Sequence, residues 1–265
     1  MRCELVIFSK NRPLQLDGLL NSIYLNMPNF FNINIIYKTT APHYESAYKT
    51  LIKEHPDVNF NIEEEDFYNQ VLSFVRKQKF KLFSFMTDDS VIFKTLQFNK
   101  INIDDDAACF SLRLGLNCNY SHPASKSYET KNVSNNNGVL KWRWDENEVD
   151  FAYPLSVDGH IFKKEFILKI LERCPFTSPN TLEANLQHFL PIIGERFMHS
   201  FEESKLVSIP VNKVNDVFNN PYGKKISYSE KELVREYING KRLDFVNMDF
   251  TDVNGPHQEI KFILK

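Results

Sequence analysis

The chain has 265 residues, enough to bury a sizeable core without disulfide or metal staples, and its length suits one large domain or a domain with a substantial appendage. Its 32 Lys and Arg stand against 34 Asp and Glu, a formal net charge of −2 that calls for neither a nucleic acid nor an anionic membrane as partner. No apolar run reaches membrane-spanning length, which leaves at most peripheral membrane contact, and Cys3, Cys109, Cys118 and Cys174 have no CxxC or Cys/His spacing, so they read as reduced thiols of a cytoplasmic protein.

In chain order, "ELVIFS" predicts a strand and "PLQLDGLLNSIYLN" a helix, with Pro13 in its first turn and Leu14, Leu16, Leu19, Leu20 and Ile23 on one broad face. "INIIYK" (strand), "YESAYKTLIKEH" (helix), "VNFNIE" (strand), "DFYNQVLSFVRKQ" (helix capped by Asp66) and "KLFSFMT" (strand) continue the alternation. Strands and helices in strict turn imply an open, mostly parallel α/β sheet, whose ligand sites lie beyond the carboxyl ends of its strands. Asp88 and Asp89 fall at such an end. "AACFSLRLG" predicts another strand, and 117–137 reads as a surface excursion rich in Asn and Ser. "GVLKWRWDENEVDFAYPLSV" predicts a β-hairpin with Trp142 and Trp144 on one face. Helices follow at "KEFILKILERC" and at "NTLEANLQHFLPII", the latter capped by Asn180; then come a short strand at "KLVSIPV" and a helix at "SEKELVREYING" ended by Gly240. The tail from Lys241 has no clear periodicity. The expected division is 1–212 as the catalytic unit, with a nucleotide half (1–100) and an acceptor half (101–212), and 213–265 as an extension packed on it.

Two adjacent carboxylates repel, and each raises the other's proton affinity unless a cation is recruited. The plain reading of Asp88-Asp89 is a solvated turn. At a strand end between "FSFM" and "VIF", the pair also suits Mg²⁺ or Mn²⁺, hard cations that take oxygen ligands and often use one or two protein carboxylates together with phosphate oxygens.

"VIFSKNRPLQLDGLLNSI" resembles the opening of the family 2-type glycosyltransferases, and "FMTDDSVIF" is similar to their DxD-type metal motif in its xDD form, at the end of the fourth strand of a GT-A fold. The resemblance runs from about Glu4 to Leu190. It implies that Asp89 is a metal ligand for Mn²⁺ or Mg²⁺, that Asp88 contacts the donor's ribose or the metal, and that Ser9, Asn11 and Arg12 line the nucleotide pocket. Where the family places an acidic segment to hold the base, this chain has "YKTTAPHYE"; Glu63, Glu64 and Glu65 are the substitutes at hand, or a solvated cap. In "YPLSVDGHIFKKEFI", Gly159 corresponds to a glycine bordering the donor sugar, flanked by Asp158 and His160. In "SPNTLEANL", Glu183 approximates the family's general base, though Asn180 and Glu183 also read as a near capping box. Glu183 is preferred to Asp158 as base. Trp142, Trp144 and Tyr153 are candidates for an acceptor platform, against core packing as the ordinary reading. His199 is a candidate late metal ligand.

The resemblance implies a metal-dependent glycosyltransferase of glycan or polysaccharide biosynthesis, inverting as its family is, taking a UDP- or GDP-sugar donor and a glycan or lipid-linked acceptor. A nucleotidyltransferase is the first alternative, disfavoured because "SKNRPLQ" lacks the glycines of a phosphate loop. A non-catalytic carbohydrate-binding relative is the second.

Overall fold

A computed structural model describes residues 2–77, 79–212 and 226–265. Its centre is a nine-stranded sheet. In chain order the elements are β1 (Cys3–Lys10), α1 (Pro13–Asn26), β2 (Phe31–Lys38), α2 (Pro42–Glu54), β3 (Asn59–Ile62), α3 (Phe67–Lys77), β4 (Leu82–Thr87), β5 (Ser90–Ile92), β6 (Ala107–Ser111), β7 (Tyr120–Ser121), β8 (Lys126–Ser127), β9 (Ser134–Asn136), β10 (Val139–Arg143), β11 (His160–Lys163), α4 (Lys164–Leu171), α5 (Pro179–Leu186), β12 (Phe197–Phe201), β13 (Leu206–Ser208) and α6 (Glu230–Ile238). The sheet order is β3-β2-β1-β4-β11-β6-β12-β10-β9.

β1 lies between β2 and β4, parallel to both, and is buried on both faces, which is why "CELVIFS" is almost continuously apolar instead of alternating. One apolar cluster joins one face of the sheet to α1, α2 and α6; a second joins the other face to α3, α4 and α5. Helix starts follow local chemistry. Pro13 and Pro42 occupy first-turn positions, where a missing N–H costs nothing, and Asp66 accepts from the Asn69 backbone N–H at 3.1 Å.

The mixed part of the sheet sets up the cleft. β11 runs antiparallel to both β4 and β6, so its amino end lies beside their carboxyl ends. Residues entering one strand thereby meet residues leaving two others.

Two local expectations are corrected. "GVLKWRWDENEVDFAYPLSV" is not a self-contained hairpin: β10 pairs with β9 before it and with β12 far beyond it, and Trp144–Glu146 and Val149–Ala152 form 3₁₀ turns. Asn180 does not cap α5. Ser178 does, accepting from the Thr181 N–H at 3.2 Å while the Thr181 hydroxyl accepts from the Ser178 N–H at 2.9 Å, and this leaves Glu183 free of capping duty. α5 also stops at Leu186, before Pro191. Of the expected extension, 213–225 lies outside the described residues. Beyond it Leu233, Phe245, Ile260 and Phe262 join the α1–α2 core, and the tail segment at His257 pairs in parallel with Ser208 of β13. No described helix is long and apolar enough to cross a membrane. All four cysteines are buried and unpaired.

Candidate active site

A cleft of about 1150 Å³ runs along the carboxyl edge of the sheet. Two arginine-centred clusters build its floor.

The first joins β1 to β4. The Arg12 Nη1 group reaches Asp88 Oδ1 at 3.0 Å and Asp89 Oδ2 at 3.2 Å, while its Nε donates to Asn212 Oδ1 at 2.8 Å. Asp88 also accepts from the Ser9 hydroxyl at 2.8 Å and the Lys10 backbone N–H at 3.1 Å, and Ser9 in turn pairs with the Tyr48 hydroxyl. The repulsion foreseen from sequence is thus offset within the protein by one guanidinium. Burial raises the Asp88 pKa, and Arg12 opposes that rise. Asp89 is the more accessible of the two carboxylates and lines the cleft; its Oδ1 accepts from the Thr87 hydroxyl at 2.8 Å.

The second cluster joins β6, β11, α5, β13 and the tail. Asp158, just before β11, accepts from the Ser90 hydroxyl at 2.8 Å and from the Ser208 hydroxyl, and lies 3.5 Å from Arg113 Nη1. Burial alone would raise its pKa; Arg113 and the two serine hydroxyls hold it below the usual carboxylate range. Glu183 accepts from the Ser156 hydroxyl at 2.9 Å and the Val157 N–H at 3.2 Å, both at Oε1. Its pKa is raised by burial, against the opposing pull of Arg113. Two neighbouring carboxylates are therefore driven in opposite directions, the pattern that separates a proton acceptor from a fixed anion. Thr87 joins the clusters, its hydroxyl lying 2.8 Å from Asp89 and 3.2 Å from Asp158.

The other expected residues divide. Ser9, Arg12, Asp88, Asp89, Asp158, His160, Glu183 and Tyr153 line the cleft. Asn11 does not; with φ at +58° it locks the β1 and β2 loops together, bonding the Thr40 N–H at 3.0 Å and hydroxyl at 2.7 Å. Gly159 sits at φ +74°, where a Cβ would press on Leu206 at 3.2 Å, so glycine is required by both conformation and space. His160 is buried, its Nδ1 donating to the Pro154 carbonyl at 3.1 Å, and burial and Arg113 depress its pKa to about 3. It is a neutral, buried imidazole in the cleft wall.

The tryptophan platform is not formed. Trp142 is wholly buried and donates to the Phe151 carbonyl at 3.0 Å; Trp144 donates to the Glu195 carbonyl at 2.8 Å. Two-residue alternation turns both indoles toward the core. His199 is bound to the Asn102 carbonyl and lies 3.3 Å from Asp104, outside the cleft lining. Glu63 reaches the cleft and pairs with Lys38 at 2.6 Å, whereas Glu64 and Glu65 do not line it.

Sequence reasoning passed over Arg113, Ser156, Asn212 and His257. Arg113 carried a readable signal, standing two residues past the strand "AACFS", where the carboxyl-end rule places ligands. His257 carried none, since only pairing of the tail with β13 brings it to Arg113.

Among the described residues, no group of three or more His, Cys, Asp or Glu is arranged to hold a metal ion. The donor set at Asp89, an accessible carboxylate beside a hydroxyl, fits a hard cation that completes its shell with phosphate and water oxygens.

No family model matches the sequence. Over 256 residues, 82% of the chain is 24% identical to the bifunctional glycosyltransferase pgtA of Dictyostelium discoideum, of which the match covers 33%. The chain thus spans about a third of the length of that curated relative. S. aureus TarS aligns with a TM-score of 0.50 at 13% identity, covering 78% of this chain and 36% of TarS. TarS 1-349 in complex with UDP aligns with the same TM-score at 12% identity, covering 78% and 60%. At such identities the structural likeness is one of fold. In sequence and in fold, the chain resembles nucleotide-sugar glycosyltransferases of the GT-A type.

Proposed function

We propose that the chain transfers a sugar from a nucleoside-diphosphate sugar to an acceptor hydroxyl, with inversion and with the aid of Mg²⁺ or Mn²⁺. The observation that carries this reading is the meeting of Asp88–Asp89 and Asp158–Glu183 in one cleft at the carboxyl edge of the sheet, bridged by Thr87. A divalent cation held there would screen the charge of the leaving diphosphate. Asp89 would be its protein ligand. Arg12 stays with Asp88 and, as a fixed positive charge beside the diphosphate, contributes the preorganised electrostatics that dominate such reactions. Glu183 takes the proton of the attacking hydroxyl. Its Oε1 is engaged by Ser156 and Val157, and no described residue hydrogen-bonds its Oε2, so that oxygen is the one presented to substrate. Asp158, held ionised, orders Ser90, Ser208 and Thr87 around the donor sugar. That TarS 1-349 is found in complex with UDP supports a nucleotide as the ligand; the part of the cleft assigned to it in this proposal is the β1–β4 part, lined by Phe8, Ile36, Lys38 and Glu63.

The test is a thermal-shift and hydrolysis screen of UDP- and GDP-sugars with and without Mn²⁺, using Asp89→Ala as control. Stabilisation by one nucleotide class, enhanced by Mn²⁺ only when Asp89 is present, is the expected result. An identical response of wild type and Asp89→Ala would remove the metal from the reading, and no response to any nucleotide would remove the donor.

A further inference from the structure

The hydrogen bonds linking the C-terminal tail to Glu183 have a fixed direction. A guanidinium only donates, so His257 Nε2, bonded to Arg113 Nη2, must accept, which leaves the imidazole proton on Nδ1. Burial and then Arg113 depress the His257 pKa, consistent with a neutral ring. On its other side, Arg113 Nη1 donates to Ser156 Oγ at 2.9 Å. The Asp158 backbone N–H donates to the same oxygen at 3.2 Å. With both lone pairs of Oγ engaged, the Ser156 hydroxyl proton has one direction left, toward Glu183 Oε1 at 2.9 Å. Without Arg113 one lone pair of Oγ would be free, and the hydroxyl could rotate and donate elsewhere.

Tail placement follows from backbone pairing. The Ser208 N–H donates to the Pro256 carbonyl at 2.9 Å and the Gln258 N–H donates to the Ser208 carbonyl at 3.0 Å, which seats His257 beside β13. The neighbouring Gly255 has no room for a side chain, since a Cβ there would lie 2.3 Å from the Tyr120 carbonyl oxygen.

We infer that His257 and Arg113 are positioning residues for Glu183, acting through Ser156: the tail histidine fixes the guanidinium, the guanidinium fixes the hydroxyl, and the hydroxyl aims and tunes the carboxylate. The inference rests on Glu183 being the base of the proposed reaction. The charged and titratable groups facing Glu183 are Arg113, Asp158 and Tyr153, of which only Arg113 is a cation.

The experiment is carbon NMR titration of the full chain labelled at glutamate carboxyls, with the Glu183 signal assigned by its loss in Glu183→Gln. Ser156→Ala should raise the Glu183 midpoint by about one pH unit or more, the scale of a single hydrogen bond to a charged group. His257→Phe should raise it by less, and His257→Gln, whose side-chain oxygen can still accept from Arg113, should restore the wild-type midpoint. A midpoint unmoved in Ser156→Ala, or unmoved in His257→Phe, or moved equally by the Phe and Gln variants, overturns the inference. The readout needs no substrate. Loss of UDP binding in the wild type would therefore count against the donor reading alone, while the titration still decides the relay.

Discussion

The two arginine clusters use the same ingredients for opposite ends. Arg12 binds two carboxylates directly, at 3.0 and 3.2 Å, and is itself pinned by Asn212, one fixed cation set against two anions. Arg113 touches one carboxylate at 3.5 Å and otherwise works through a serine and a histidine, neither of them charged at neutral pH. In the first cluster the direct pair opposes the rise that burial imposes on Asp88; in the second, Glu183 keeps a raised proton affinity while its neighbour Asp158 keeps a lowered one. A cleft for group transfer needs both conditions, a fixed charge where the anion leaves and an adjustable one where the proton goes.

The sharpest way to break this contrast is at the adjustable end. Glu183→Gln should lower turnover of a nucleotide sugar about 10²- to 10⁴-fold, the usual span for a general base, while leaving nucleotide affinity unchanged in the thermal-shift assay. Asp158→Asn should cost less turnover; the reverse order would exchange the two roles. Next comes the fixed end. Arg12→Leu strands the buried Asp88 without its cation, and denaturant unfolding should register a loss of about 3–5 kcal/mol. Arg113→Leu should cost about 1.5–3 kcal/mol, because Asp158 keeps its serine partners.

Smaller effects sharpen the picture around β11. Gly159→Ala forces a side chain into φ +74° and against Leu206, for a loss of about 1–3 kcal/mol in the same unfolding assay. His160 makes a pH prediction. Its folded pKa, depressed from 6.5 to about 3, means that the unfolded chain binds the proton more readily. The histidine's contribution is complete above pH 6.5 and is lost as pH falls toward 3, at about 1.4 kcal/mol per unit. Unfolding curves at successive pH values should be steeper in the wild type than in His160→Asn by about that slope, since the depressed His257 contributes to both.

Much of the β1–β4 half was legible in the sequence, because strands buried on both faces and helices with a broad apolar stripe declare themselves locally. The position of Asp88 and Asp89 followed from β4 and the carboxyl-end rule. What sequence left unseen was the neutralising partner: Arg12 lies 76 positions from Asp88 in the chain, and no spacing pattern records that contact. The acceptor half was harder. β10 takes its partners from 134–136 and 197–201, so "GVLKWRW" reads locally as half of a hairpin whose other half is elsewhere. The alternation there was real, yet it pointed the indoles inward. Ser178 outcompeted Asn180 as cap because Thr181 lay at the right offset to return the bond, a detail that also released Glu183.

The reversed direction of β11 has a last consequence. Ile161 pairs with Ser84 and His160 with Ser111, so the spacing between the two aspartate sites is set by hydrogen-bond register within a sheet, not by the length of any loop. Loops over the cleft are then free to lengthen, shorten or change composition without disturbing the two aspartate sites beneath them. Such a molecule can exchange one substrate for another by rewriting its rim, while the frame that measures out its chemistry stays the same.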